Sequence, residues 1–377
     1  MGLLTWEKQK WDDDEKEYAR EIAKDLAAYG IKWQRLPMRQ MPIPLIPKAT
    51  TNIIFNALKA FLILKSGNYN FVHCRSYLPA FLMLFLKWII QIPFIFDMRG
   101  FLPEEYVLAQ HWEKGSWKFR LAKNLEWKCL KSSAAVITTN SGMRENLFSQ
   151  LSDDSKDQKL IENKVVVIEN CTDIDLFRPS KIERLETRNE FGLTDEIVIA
   201  WVCGGIATWH LPEQTIDFFQ KLKKRISTAK FMVLTKSMYI SQLFERKGFS
   251  LGDVIIKSVE HKMVPRYLNA ADAGIVLVSP ETATFPVKVA EYLACGLPVI
   301  LDKGVDRNIP LTCKGVGVLI EEYDSVSYDK AIENLLKVLG KGEEIKRACR
   351  RIAEEKYSLP AAVEKYEMIY RNICGKK

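Results

Sequence analysis

A chain of 377 residues, 47% of them hydrophobic, is too long for one ordinary core and too apolar for disorder, so two globular domains of about 150–200 residues are expected. Its formal net charge of +8 favours anionic partners without choosing among phosphorylated substrates, nucleic acid and an acidic membrane face. Eight cysteines without short paired spacing, and four histidines that form no ligand pattern with them, argue against a disulfide framework or a zinc site and for reduced thiols in the cytoplasm.

Strand and helix signals alternate from the start. Residues 1–6 read as a strand, 12–29 as a helix with an acidic first turn and Gly30 after its end, and 31–36 as a second strand. A proline-rich loop over 37–47 precedes a helix at 52–65, a strand at 69–74, a helix at 79–90 and a strand at 93–97. The apolar run 78–96 is broken by Lys87, Gln91 and Pro93 into pieces shorter than the ~20 residues that span a bilayer. After Gly100 an aromatic and acidic loop leads to a basic helix at 117–130, where Trp117, Phe119 and Trp127 interleave with Lys118, Arg120, Lys123 and Lys128. A packed helix with a solvated cationic side is its favoured reading, and contact with an anionic membrane surface is the second.

Residues 134–139 and 165–168 are expected strands, with a helix beginning at Ser141. Residues 170–179 and the charged piece after them read as a domain connection, because apolar periodicity lapses and Pro179 bars a regular element. The pattern then restarts, with strands at 197–203, 231–234, 254–256 and 273–278 and helices at 211–225 and 264–271. A helical tail follows over 328–373, interrupted near Gly340 and Pro360. Such alternation marks parallel sheets covered on both faces.

Ligands of open parallel sheets bind beyond the carboxyl ends of the strands. In the first half those positions hold His73, Arg75, Ser76, Asp97, Arg99, Gly100, Thr138 and Asn140. In the second they hold Gly204, Gly205, Thr208, Thr235, Lys236, Val259, Glu260, Thr284 and Lys288. Each has a bland alternative: paired glycines permit a turn without any phosphate, Asp97 can be a cap, and His73 reads more readily as a satisfied semi-buried side chain. Arg75 and Arg99 are harder to dismiss, since two guanidinium groups at neighbouring strand ends must find anions. The stretch 284–300 stands out: a helix beginning after Pro286 offers unpaired N–H groups to an anion, and Lys288 and Glu291 lie three apart on one face. A cation there suits a diphosphate and a carboxylate one turn later suits a ribose diol, although the two could equally form a solvated helical ion pair.

The segment Phe285-Pro286-Val287-Lys288-Val289-Ala290-Glu291-Tyr292-Leu293-Ala294-Cys295-Gly296-Leu297-Pro298-Val299-Ile300 resembles the donor-site helix of GT-B glycosyltransferases of the retaining family 4 type. Residues 168–179 resemble that family's interdomain segment, and 72–80 and 94–101 are similar to a bacterial subgroup acting on cell-surface glycans. The resemblance implies an α/β fold of two Rossmann-like domains facing across a cleft, with a C-terminal helix crossing back. The boundaries it implies are 1–175 on the acceptor side, 176–358 for the donor and 359–377 for the returning helix.

It also implies roles. Glu291 would hold the donor ribose, and amides near Thr284 with Lys288 would meet the diphosphate, Gly204, Gly205, Thr208 and Lys236 lining the same rim. Asp97, with Arg99 and Arg75, would lie near the acceptor and the reacting carbon. The partners are a nucleotide-diphosphate sugar and a saccharide or lipid-linked acceptor, with no metal, no other cofactor and no nucleic acid, at a cytoplasmic address that extends to the inner membrane face. Three departures stand against it: Ala283 replaces a glutamate with Glu281 out of register, the loop from Gly204 to His210 lacks an arginine and a lysine, and the usual first strand is not recognisable. Losing that strand would open the middle of a sheet. A nucleotide-sugar epimerase and a non-catalytic glycan- or nucleotide-binding protein are the alternatives.

Overall fold

The computed structural model describes residues 1–7, 13–37, 48–150, 155–203, 210–250, 252–279, 286–308 and 310–375. By compactness the chain forms two units, Met1–Cys74 with Leu78–Ile95, and Arg75–Tyr77 with Phe96–Lys377.

The N-terminal stretch runs β1 (Gly2–Glu7), α1 (Asp13–Ala28), β2 (Lys32–Pro37), α2 (Lys48–Ser66), β3 (Val72–Arg75) and α3 (Tyr77–Ile90). β4 (Phe94–Asp97), α4 (Leu102–Leu108), α5 (Trp117–Ser132), β5 (Ala135–Thr138), α6 (Ser141–Ser149), α7 (Ser155–Glu162) and β6 (Val165–Val167) follow. β1 and β2 pair in parallel from Gly2↔Lys32 to Glu7↔Pro37 as a ribbon of their own, while β3, β4, β5 and β6 stand in that order in a second sheet. The strands of this half thus fall into two separate pieces.

The rest comprises α8 (Lys181–Glu190), β7 (Val198–Cys203), α9 (Pro212–Arg225), β8 (Lys230–Thr235), α10 (Met238–Arg246), β9 (Val254–Lys257), a 3₁₀ turn (His261–Met263), α11 (Val264–Ala270) and β10 (Ala273–Val276). It ends with α12 (Val287–Ala294), β11 (Val299–Asp302), α13 (Lys303–Asn308), β12 (Gly317–Ile320), α14 (Ser325–Leu339), α15 (Glu343–Lys356) and α16 (Leu359–Cys374). Its six parallel strands are ordered β12-β11-β10-β7-β8-β9.

Alternation along these strands explains their near-continuous apolar sequence. Val198 and Ala200 of β7 join Met232, Val299 and Leu301 in a core under α11, α12 and α15. Ile199, Trp201 and Cys203 face the other way, with Phe231, Val233 and Ile300 under α9, α10 and α14. With both faces covered, no strand can be polar on one side.

Several elements went unread in the sequence. α4 begins at a proline in its first turn, followed by Glu104 and Glu105, which is a sound helix start inside what reads as an acidic loop. α7, α10, α13 and β12 are short and lack a long periodic pattern. The charged piece after Pro179 is a correction: it is α8, capped by Ser180, and its arginines turn inward. Arg184 donates to the carbonyls of Asn269 and Ala271 and to Asp272, and Arg188 to those of Ala270, Thr194 and Glu196. The guanidinium of Arg188 is buried and that of Arg184 half-buried, and each donates to three acceptors, so this charge belongs to the body around the six-stranded sheet and not to a linker. Among the described residues no helix is long and apolar enough to cross a membrane.

A close approach fixes α12 on its sheet. A Cβ at Gly274 of β10 would lie 2.3 Å from the ring of Tyr292, which is fully buried. Gly274→Ala should therefore destabilise the fold by about 1–3 kcal/mol, the usual scale of overpacking, read as a lower denaturant midpoint with the slope unchanged. An unaltered midpoint would contradict this packing.

Candidate active site

α12 is placed by both of its ends and by its middle. Pro286 at its N-cap has no side chain able to cap, so the first-turn N–H groups gain no side-chain partner there. At the other end Gly296 adopts φ of 79°, with its N–H bonded to the Leu293 carbonyl and the Leu297 N–H to that of Tyr292. This double bond is the Schellman arrangement, which stops the helix sharply before β11. In the middle, Tyr292 rests on Gly274 and its hydroxyl accepts the Val202 N–H at 2.8 Å. Burial drives the tyrosine hydroxyl's pKa far up, so it stays a neutral acceptor. Val289, Ala290, Leu293 and Ala294 are buried beside it, which leaves Lys288 and Glu291 on the remaining face.

Glu291 retains only 5% exposure. Its ion-pair partner is His261 of the 3₁₀ turn, Nε2 to Oε1 at 3.0 Å, and not Lys288. Lys288 acts on Glu291 only as a nearby charge, and burial holds its ammonium pKa below the ordinary range. That charge also acts on His210, which forms an isolated bridge to Val278 just beyond β10. Burial first, and Lys288 second, lower the His210 pKa to about 4, so the imidazole is neutral near pH 7. β7 and β8 end side by side here, where the Cys203 thiol donates to the Thr235 hydroxyl at 3.5 Å. Lys236 is exposed and feels Glu260, which pairs with Lys262 at 2.8 Å. Gly204, Gly205, Thr208, Glu281, Ala283 and Thr284 lie outside the described residues.

The second group forms around β4. Asp97 is 2% exposed, with Arg99 Nη1 3.6 Å from one carboxylate oxygen and the Tyr366 hydroxyl of α16 donating to the other at 3.5 Å. Arg99 also donates to the Asn170 side chain. Burial and the Asp97 charge together raise the Tyr366 pKa to about 12, keeping its proton available for donation. Arg75 is exposed, and its charge reaches Tyr366. The loop after Asp97 is clamped from below: Tyr77 donates to the Gly100 carbonyl at 3.1 Å and to the buried Glu126 at 2.6 Å, and Glu126 accepts from Lys123. A Cβ at Gly100 would meet the Glu105 carboxylate, the far end of a flexible side chain, at 2.0 Å. α16 is tied to the same half by Lys365, which donates to Glu169 and the Val167 carbonyl.

Thus Asp97, Arg99 and Arg75 share one neighbourhood, and Lys288 and Glu291 another, while Lys236 stands at the edge of the latter. Sequence reasoning missed His210, His261, Tyr366 and Asn170. Both histidines follow strand ends, so the rule that points to Lys236 and Glu260 at the sheet rim reaches them as well. Tyr366 carries no local signal, because its partner is 269 positions away. Among the described residues no three His, Cys, Asp or Glu side chains are grouped to hold a metal ion.

Residues 202–338, which carry β7 to most of α14, match the family model described as Glycosyl transferases group 1. An uncharacterized glycosyltransferase of Methanocaldococcus jannaschii is 21% identical over 320 residues, covering 82% of this chain and 77% of that protein. Among solved structures, sucrose-phosphate synthase of Thermosynechococcus elongatus superposes with a TM-score of 0.71 at 15% identity, covering 100% of this chain and 99% of the other. HepE of Anabaena, solved in complex with UDP-glucose, gives 0.68 at 15% identity with 100% of both chains covered. The chain therefore has the GT-B fold, and its residues 202–338 match the model described as Glycosyl transferases group 1.

Proposed function

We propose that the protein transfers a sugar from a nucleotide-diphosphate sugar to a saccharide or lipid-linked acceptor, with retention at the anomeric carbon, in the synthesis of cell-surface polysaccharide. The observation that carries the donor half is the pairing on α12 of a buried carboxylate with a lysine one turn earlier, beside an uncapped helix start. Glu291 accepts both hydroxyls of the ribose diol. Lys288 and the first-turn amides receive the diphosphate, whose charge relieves the unfavourable burial of the ammonium. The nucleotide bound by HepE supports this reading of the site, and the cell-surface acceptor rests on the sequence resemblance.

In the reaction the bond between the anomeric carbon and the diphosphate oxygen breaks as the acceptor oxygen bonds to the same face of that carbon. The acceptor proton passes to the departing diphosphate oxygen. Lys288 and the helix amides stabilise the charge that develops there, a role open to fixed cations and dipoles. Asp97, held between Arg99 and Tyr366, orients the acceptor hydroxyl, and Arg75 sits at the entrance as an exposed cation. Contact with an anionic membrane surface through the basic face of α5 would bring a lipid-linked acceptor near.

Glu291→Ala removes two charge-assisted hydrogen bonds of about 1.5–3 kcal/mol each, so affinity for the nucleotide sugar should fall by at least about 100-fold with the thermal midpoint retained. Undiminished transfer in that variant would sink the assignment. Asp97→Asn should lower kcat by about 100-fold or more while leaving donor KM near its original value, because it touches only the acceptor step. Lys288→Met should stabilise the folded protein by about 0.5–1 kcal/mol and weaken donor binding, since a desolvated ammonium is held for function; calorimetric unfolding and a binding titration read the two effects.

A further inference from the structure

Glu291 is the carboxylate that the proposed function sets against the ribose, yet it is barely reachable. Its side chain is 7% exposed, and the imidazole lying on it is 68% exposed. His261 Nε2 is 3.0 Å from Glu291 Oε1, and the ring leans on Phe177 with centroids 5.2 Å apart and planes inclined by 54°. The 3₁₀ turn His261–Met263 that carries it contains no buried residue. Among the described residues one hydrogen bond and one ring contact hold the imidazole over the carboxylate, and turning it out uncovers the edge of Phe177, which is otherwise fully buried.

An imidazole N–H and a ribose hydroxyl offer a carboxylate oxygen the same thing, a hydrogen-bond donor. A carboxylate oxygen can accept two donors, but with its side chain only 7% exposed Glu291 is reached by a diol only when the covering ring moves aside. We propose that His261 is a latch on the donor site: it holds Glu291 in the free protein and is turned out by the ribose. The latch rests on the donor reading of Glu291 given above.

The surrounding charges leave Glu291 as the group His261 answers to. On its own turn Glu260 and Lys262 pair with each other at 2.8 Å, and Lys236 acts on Glu260. From α12, Lys288 acts on Glu291. From α15, Arg350 is committed to Glu354 and to the carbonyls of Ile174, Phe177 and Ala294. The ribose has to break the His261 hydrogen bond, so the latch lowers donor affinity by about two- to tenfold.

The test is isothermal titration of the full chain with UDP-glucose, GDP-mannose and ADP-glucose. His261→Ala should bind one of them about two- to tenfold more tightly than the wild type, and His261→Gln, which keeps a hydrogen-bond donor, should bind like the wild type. A His261→Ala variant that binds no more tightly than the wild type would overturn the latch. Binding that survives in Glu291→Ala, or is missing from the wild type for all three ligands, overturns the donor reading itself and the latch with it.

Discussion

The contact between Tyr292 and Gly274 governs the geometry of everything proposed here. A full aromatic ring occupies the space that a side chain on β10 would need, and the hydroxyl beyond it takes a backbone N–H from β7. α12 is thereby locked to two neighbouring strands of the six-stranded sheet at a fixed height and rotation. Rotation is what matters chemically, because Lys288 and Glu291 occupy the face left over once Val289, Tyr292 and Leu293 are buried. A donor that fits within a few tenths of an ångström requires such a scaffold, and a helix held only by apolar packing would not supply it.

Charge at this helix is arranged for a guest. Lys288 is desolvated, and Glu291 is covered by an imidazole instead of water. Burial of the Lys288 ammonium costs the protein stability. Around Asp97 the logic differs. There Arg99, Tyr366 and Asn170 form a connected polar network anchored by helix α16, so the carboxylate is held in a fixed orientation.

What the sequence made legible followed from periodicity. The donor-side strands are long apolar runs between clear punctuation, and the helix from Val287 to Ala294 is bounded by Pro286 and Gly296, each with an unambiguous local meaning. Lys288 and Glu291 were readable for the same reason, since a spacing of three fixes their shared face. α8 was not, because its arginines look like a solvated linker until the carbonyls of Asn269, Ala270 and Ala271 come into view. The His261–Glu291 pair and the Tyr366–Asp97 bond join residues 30 and 269 positions apart. No local pattern encodes such meetings; only the packed fold creates them.

The central claim is that α12 is the floor of a nucleotide-sugar site. A crystal structure of the protein with a bound nucleoside diphosphate tests it most directly. The account predicts ribose hydroxyls on the Glu291 carboxylate, with the imidazole of His261 turned aside, and phosphate oxygens beside Lys288 and the first-turn amides. A nucleotide seated elsewhere, or one lying near α12 with its ribose away from Glu291, would contradict it.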